Sequence, residues 1–268
     1  NFFFLGSKKY NYPLIKKFFS KKKKIETFTR DKKEGLNLDP WVQWVSVHTG
    51  IKSSKHRVYR IGQKLDKRIP QIWEKSDIKN NNITLWGIFN SNLKSKKNID
   101  LYFPDPWSFT QEVYPEKYKN FLKLPRYYAI NYPNIKLEKF IYYSILFFKD
   151  VFFSKTFFYI LKNIYKIISI FLKAGIKSFN LYFFLDLISL DIVLNHLKNK
   201  KSNFSIIAIN SFAHYQHNYW NNEKYEKYYF WYLNEMIKKI IDIENEYSSS
   251  IFFNGFSQKK IKVRYHLR

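Results

Sequence analysis

The segment ITLWGIF, residues 83–89, decides the fold class. It is a continuous apolar run of strand length, which is typical of a strand buried on both faces of a sheet. The segment IDLYFPDPW, residues 99–107, begins as a second short strand, which Pro104 and Pro106 bring to an end. The segment FSIIAINSFAH, residues 204–214, is a further buried strand that runs into a polar loop. These three runs predict a sheet with a buried centre.

Helical patterns separate and follow these strands. From about residue 138 to 200 the chain is rich in aromatic residues and has lysines at helical intervals, and residues 223–247 form an amphipathic pattern. The segment SIFFNGFSQ predicts a last strand that ends at Gly255. Alternating strands and helices indicate a parallel sheet. We therefore predict an α/β fold, a mainly parallel sheet sandwiched by helices, in a single domain over residues 1–268 with a helical insertion near 138–200.

Composition limits the classes of function. Apolar residues make up 46% of the 268 residues, which is enough for a core, and the formal net charge is +26. Lys, Asn, Ile, Phe and Tyr are enriched together, as an AT-rich coding sequence would produce, so we read much of the charge as a solvated surface and do not expect a nucleic-acid partner. An anionic substrate would be attracted to this charge, and a membrane surface remains an alternative partner. The chain has no cysteine, which excludes disulfides, thiolate zinc sites and a cysteine nucleophile.

The two ends of the chain and its hydrophobic segments give expectations about the cellular compartment and about contact with a membrane. The chain begins at Asn1 and stops at KVRYHLR, which predicts a protein trimmed at both ends. The segment FFFLG is too short for a secretory signal, so we favour the cytoplasm. Lysines interrupt the apolar segment from Thr156 to Ile176 at positions that share one helical face, and a spanning helix rarely tolerates them. The segment predicts an amphipathic helix, with a helix lying on a membrane surface as the alternative.

A first candidate site lies in PWVQWVSVHTGIKSSKHRV, residues 40–58. We expect this element to pack inward and to end at the mouth of the sheet. Ser46 and Thr49 are candidate catalytic hydroxyls there, because a base or a metal could activate either of them, and His48 could orient one. The alternative is an ordinary turn after Thr49, with His48 packed in the core.

A second candidate site lies in NSFAHYQHNYW, residues 210–220. His214 and His217 are three residues apart, so on a helical turn they would share a face and could bind one metal ion, with Asn210 supplying an oxygen. The alternative is a polar loop whose histidines cap helices or stack on aromatic rings. Asp105, between two prolines, is either a turn residue or a substrate contact.

The first site resembles part of the alkaline phosphatase superfamily, and within it the type I phosphodiesterase and sulfatase branches. In that family a Thr-Gly turn follows the nucleophile, and a His-Gly pair follows the turn. Thr49 and His56 match these positions, whereas Arg57 replaces the glycine. The family nucleophile would fall at Pro40, which has no hydroxyl, so Ser46 is the substitute candidate.

The second site resembles the family's Asp-x-x-Gly-His motif, whose Asp and His bind metal. NSFAH keeps that spacing, with Asn210 in place of the Asp and His214 in place of the His. The later Asp-His-Gly motif corresponds to FFNGF, where Asn254 replaces the Asp. The resemblance covers roughly residues 38–110 and 180–258, and it implies an alkaline phosphatase-like fold with a divalent metal, zinc or manganese.

Three functions follow as hypotheses. The first is a divergent metal-dependent hydrolase of phosphoesters or sulfate esters, acting on an anionic small molecule or glycan. The second is a protein that keeps the fold without catalysis and serves in binding or assembly during polysaccharide handling, because replacing Asp with Asn removes the charge that holds a cation. The third is a basic protein that binds nucleic acid or anionic membranes, with an affinity that falls steeply with salt.

Overall fold

A small open sheet lies at the centre of a mainly helical chain. The computed structural model describes residues 2–29, 31–32, 38–75, 78, 82–152, 154–175, 177–219 and 222–253. The strands in this part are β1 (Ile83–Ile88), β2 (Ile99–Pro104) and β3 (Phe204–Ile207). The helices in the same part are α1 (Phe2–Lys9), α2 (Pro13–Ser20), α3 (Pro40–Thr49), α4 (Ser53–His56), α5 (Lys119–Asn131), α6 (Leu137–Phe152), α7 (Thr156–Ala174), α8 (Ser178–Asn199), α9 (Ser211–Tyr219) and α10 (Glu223–Glu244).

The sheet has the order β2-β1-β3, and both pairings are parallel. The prediction of a buried central strand is confirmed, since five of the six residues of β1 are buried. Gly87 has a φ of +69°, and a Cβ atom at this position would lie 3.1 Å from the carbonyl oxygen of Ala208. A glycine therefore allows β1 to approach the end of β3 closely.

The two faces of the sheet are covered differently. Trp86, Leu101 and Phe103 belong to the large core formed with the helices, and the Trp86 and Phe103 rings stack 4.1 Å apart. Leu85 and Tyr102 point to a smaller cluster on the opposite face. Alternate strand residues thus reach opposite faces, as the pleat requires. The smaller cluster is closed by the 3₁₀ turn Ile72–Glu74 and by loops, so helices flank one face far more than the other.

The helical prediction for residues 138–200 is confirmed, because this segment forms α6, α7 and α8. By length and composition α8 is, within the described residues, the one helix able to cross a bilayer, but 56% of its apolar window is buried inside the fold. It packs against α9 and α10 and carries fully buried Phe179 and Phe183. A helix that is apolar all round is typical of such a central position. The segment is therefore part of the main core, and its description as an insertion stays a prediction.

We expected residues 40–49 to end at the mouth of the sheet, as a strand would, but these residues form the helix α3. Pro40 occupies the first turn, where its missing N–H and fixed φ suit a helix. Gly50 follows in the left-handed conformation, with a φ of 74°, and its N–H bonds to the Ser46 carbonyl. The Thr-Gly pair is thus a helix end and not the end of a strand.

Two further segments, residues 210–214 and the predicted last strand, differ from the prediction or lie partly outside the described residues. Residues 210–214 do not form a loop, because α9 begins at Ser211. Residues 251–253 have no regular secondary structure, and the rest of the predicted last strand, including Asn254 and Gly255, lies outside the described residues. The parallel α/β class is confirmed with three strands, and an alkaline phosphatase-like architecture stays a prediction.

Candidate functional site

A cavity of about 490 Å³ lies at the carboxyl ends of the three strands. Gly87 of β1, Asp105 after β2, and Ala208 and Asn210 after β3 form its floor. Its other walls come from α5, α6, α7, α8 and α9 and are mostly apolar. Parallel sheets place their ligands at this edge, and an apolar pocket with a few convergent polar groups is the usual form of a ligand site.

Asp186, on α8, is the first polar group of the cavity. Its Oδ2 atom accepts the backbone N–H groups of Asn210, at 3.1 Å, and of Ser211, at 2.8 Å. The carboxyl group therefore satisfies the first free donors of α9 and holds the start of that helix against α8. Burial raises the pKa of Asp186 to about 6, although these hydrogen bonds act in the opposite direction.

Asp105 is the second carboxyl group and is only 4% exposed. Its Oδ1 atom accepts the Trp107 N–H at 2.9 Å, and Pro104 and Pro106 restrict the backbone on both sides. Burial raises the pKa of Asp105 to about 7, against the hydrogen bond from Trp107 and the nearby positive charge of Arg126. Asp105 is therefore a turn residue, as one of the two sequence interpretations had it, and it also lines the cavity. Its role as a substrate contact stays a prediction.

His214 lies between two aromatic rings. Its ring stacks on Tyr182, with centroids 3.6 Å apart and planes 3° apart, and faces Trp107 at 6.4 Å. Its Nε2 atom is 3.3 Å from Nδ2 of Asn210. Burial, with a smaller contribution from His217, lowers the pKa of His214 to about 4. The imidazole is therefore neutral at pH 7, the state in which it can bind a metal ion or accept a hydrogen bond.

The three predicted metal ligands are only partly brought together. Asn210 and His214 are in contact and both line the cavity, whereas His217 is exposed and is not part of the lining. Among the residues that the structure describes, no group of three or more His, Cys, Asp or Glu side chains is placed to hold a metal ion. Asp186 is an anionic group beside Asn210, because its Oδ2 atom accepts the backbone N–H of that residue.

Ser46 belongs to a separate polar group, which we call the Asp31 cluster: Asp31, Gln43, Ser46, Ser53 and His56. Oδ1 of Asp31 accepts the backbone N–H of Ser53 at 3.0 Å and its hydroxyl at 2.9 Å. Oδ2 accepts from Nε2 of Gln43, at 2.8 Å, and from the Ser46 hydroxyl, at 3.3 Å. Burial alone would raise the pKa of Asp31, but these hydrogen bonds outweigh it and lower the pKa. The carboxylate therefore ties α3 and α4 to the preceding segment.

The ring of His56 does not act as a base toward Ser46. The Val58 N–H donates to Nδ1 of His56 at 3.0 Å, so the proton of the neutral ring is assigned to Nε2. That Nε2–H donates to the Ser46 hydroxyl at 3.0 Å, and the hydroxyl donates onward to Asp31. Burial lowers the pKa of His56, with the Asp31 charge opposing the shift. The ring thus donates a hydrogen bond to the serine hydroxyl, whereas an activated serine donates its proton to the ring.

Thr49 and His48 have structural surroundings. The Thr49 hydroxyl donates to the Val45 carbonyl at 2.6 Å within α3. His48 is buried, its ring lies 5.2 Å from that of Trp73, and burial lowers its pKa to about 3. Neither residue lines the cavity, and neither does Ser46. The structure thus places the two groups predicted from sequence in different surroundings.

Sequence reasoning missed Asp186 and the ring of Tyr182. A signal for Asp186 is present, because it is the single charged residue in the apolar stretch LYFFLDLISL, residues 181–190. A half-buried carboxylate in a core helix needs partners and is often functional. Comparisons of this chain with protein-family models, with curated proteins and with solved structures found no match.

Proposed function

We propose that this protein binds an amphipathic, lipid-like molecule in the cavity, with its polar end at the edge of the sheet. One observation carries the proposal: the four groups Asp105, Asp186, Asn210 and His214 all line one cavity whose walls are mostly apolar. Asp186 accepts the backbone N–H of Asn210, and the Asn210 side chain contacts His214. Asp105 accepts the backbone N–H of Trp107, whose ring lies 6.4 Å from that of His214. Such a division between one polar end and apolar walls matches a ligand divided in the same way.

The protonation of the polar end selects the chemistry of the head group. Asp105 and Asp186 have pKa values raised to about 7 and about 6, so both can hold a proton within one or two pH units of neutrality. A protonated carboxyl group donates a hydrogen bond, and the neutral imidazole of His214 accepts one. A head group with hydroxyl and ester oxygens would satisfy both kinds of partner, and a monoacylglycerol has this chemistry.

The binding test uses a fluorescent monoacylglycerol whose NBD group brightens in apolar surroundings. We expect saturable binding by the wild-type protein. Ser189→Phe, which adds a ring to the cavity wall on α8, should weaken binding at least tenfold. Ser20→Phe is the matched control, because Ser20 is exposed at the end of α2 and lies outside the cavity lining. Equal binding by the Ser189→Phe and Ser20→Phe variants would show that the ligand does not occupy the cavity.

Hydrolysis of a phosphoester or sulfate ester at the same polar end is the second candidate function. It is favoured by His214 and Asn210, whose side chains lie in contact beyond the carboxyl end of β3. A carboxyl group with a pKa near 7, as at Asp105, is suited to transfer protons at neutral pH. A bound zinc or manganese ion would supply the charge that activates water or polarises the ester.

Elemental analysis of the purified protein tests this candidate. Near-stoichiometric zinc or manganese that is lost in His214→Ala and retained in His217→Ala would support it, because only His214 lines the cavity. A screen of phosphodiester and sulfate-ester substrates would then follow. A metal-free protein without hydrolytic activity removes the hydrolase proposal and leaves lipid binding as the function.

A further inference from the structure

We infer that the outer face of α6 and α7 docks on the surface of an anionic lipid bilayer. The first observation is an exposed apolar stripe on α7. Its members recur at intervals of three and four residues, so they share one side of the helix. They are 48–88% exposed and comprise Phe158, Leu161, Tyr165, Ile168 and Leu172. The opposite side of α7, with Ile160 and Ile167, is buried against the core.

The neighbouring helix α6 carries a second stripe of the same kind. Its members are 48–61% exposed and comprise Ile141, Ile145, Phe148 and Phe152. They line a shallow apolar groove on the outer side of the helix. The helices α6 and α7 are in contact, and the rings of Phe152 and Phe157 lie 4.6 Å apart at their junction. We call the two stripes together the α6–α7 face.

Lysines accompany this face in the pattern of a helix that lies in a membrane interface. Lys162, Lys166 and Lys173 are exposed and lie on α7 at spacings of four and seven, so they form a row beside the apolar stripe. Between residues 137 and 174 the chain has six lysines and two acidic residues. An apolar side inserted among head groups, with lysines reaching anionic phosphates, is the arrangement of interfacial helices.

Two observations indicate that a bilayer surface, and not another protein, covers the α6–α7 face: the charge of the chain and the cavity that lies behind the face. A net charge of +26 complements an anionic surface and opposes pairing with a second copy of the same chain. Phe140, Ser144 and Phe148 line both the outer groove and the strand-end cavity, so the two apolar surfaces are continuous. The docking inference stands on the exposed face alone. If the proposed lipid binding also holds, the ligand would pass from the bilayer through this face.

Vesicle co-sedimentation tests the inference. The vesicles contain phosphatidylcholine alone or with about a third phosphatidylserine. We expect the wild-type protein to bind the anionic vesicles, and raised salt to weaken that binding. A triple variant that replaces exposed apolar residues of α7 should bind at least tenfold less, without loss of fold, because these side chains are exposed: Phe158→Ser, Tyr165→Ser and Leu172→Ser. A matched control triple changes equally exposed residues elsewhere and should bind normally: Ile25→Ser, Phe28→Ser and Ile251→Ser.

A second pair of variants separates the local lysine row from the total charge. Replacing the three α7 lysines by glutamate should abolish the preference for anionic vesicles: Lys162→Glu, Lys166→Glu and Lys173→Glu. The control makes the same charge change on exposed lysines outside the face and should keep most of the binding: Lys16→Glu, Lys17→Glu and Lys23→Glu. Equal losses in both triples would show that only net charge matters and would overturn the assignment of the face.

Two other outcomes also overturn the inference. One is no binding to anionic vesicles at low salt. The other combines two results: the wild-type protein binds no vesicles, and analytical ultracentrifugation shows it as a dimer that the triple variant at Phe158, Tyr165 and Leu172 no longer forms. The face would then join two copies of the chain. If vesicle binding fails while the fluorescent monoacylglycerol still binds, the cavity proposal survives alone. If Ser189→Phe leaves the monoacylglycerol bound while vesicle docking persists, only the cavity proposal is lost.

Discussion

The Asp31 cluster and the polar end of the cavity contain similar residues in opposite circumstances. In the cluster, both carboxylate oxygens of Asp31 accept hydrogen bonds from neighbouring side chains or backbone, and His56 uses both ring nitrogens. In the cavity, Asp105 and His214 face an apolar space, and burial shifts the pKa of each toward its neutral form. The cluster therefore holds segments together, whereas the cavity leaves polar groups beside an open apolar space.

The comparison shows why residue type alone is a poor guide to a site. Serine, histidine and aspartate meet in the Asp31 cluster, yet the hydrogen bonds run from His56 through Ser46 to Asp31, so none of them is activated. The cavity has fewer recognisable motif residues, but its carboxyl groups have raised pKa values. Perturbed pKa values inside a concave site indicate function better than the presence of reactive residue types.

The largest expected effect is a pH-dependent change in stability in Asp105→Asn. The folded state holds the Asp105 proton up to about pH 7, whereas the unfolded chain releases it near the ordinary pKa of 3.8. The wild-type protein therefore loses stability as pH rises from 4 to 7, by about 4 kcal/mol at most from this group. Asparagine keeps an acceptor for the Trp107 N–H and has no proton to release. Urea unfolding at pH 4, 5.5 and 7 should show that the free energy of unfolding of the variant rises relative to that of the wild type as pH increases.

The control for this prediction is Asp66→Asn. Arg68 lowers the pKa of Asp66 to about 2, so this exposed carboxylate contributes in the opposite direction. Asp66→Asn should therefore show no gain on the wild type as pH rises. Parallel pH profiles for Asp105→Asn and the wild type would contradict the burial of a protonated carboxyl group in the cavity wall.

The next effect is a loss of stability in Asp31→Ala. The change leaves the hydroxyls of Ser46 and Ser53, the Ser53 N–H and the Gln43 amide without their acceptor, at a cost of about 3 kcal/mol. Urea unfolding measures it, and monoacylglycerol binding should not change. The same substitution at Asp186 should cost less, about 1 kcal/mol, because two N–H groups lose their acceptor, but should weaken binding.

The binding assay can contradict the distinction between the two regions. If Asp31→Ala weakens monoacylglycerol binding as much as Asp186→Ala, the cluster and the cavity act as one site. Asp31→Asn serves as an internal check, since it keeps acceptor oxygen while removing the charge and should lose less stability than Asp31→Ala.

The smallest effect is expected for Ser46→Ala. The substitution removes the acceptor of the His56 Nε2–H and one donor to Asp31, which costs about 1 kcal/mol. Metal content, ester hydrolysis and monoacylglycerol binding should stay at wild-type levels, as measured in the assays above. A loss of hydrolysis with a retained fold would restore Ser46 as a catalytic residue and would connect the cluster with the cavity.

Local sequence patterns predicted much of the secondary structure. The apolar run of β1 and the amphipathic repeat of α10 were both recognisable, because burial on two faces and burial on one stripe leave different periodicities. The segment that forms α3 was misread because its apolar residues show little periodicity. Its decisive signals were the proline at the start and the glycine after Thr49.

The sequence by itself determined the α/β class, the parallel sheet, the excess of positive charge and the amphipathic character of α7. These properties depend on composition and on the periodicity of side chains along one element. Only the tertiary structure decided which polar groups share a site. Asp186 meets Asn210 across 24 residues of chain, and Asp31 meets Ser53 across 22. Such meetings depend on how helices pack on the sheet and on the space that packing leaves open, and no local pattern encodes either.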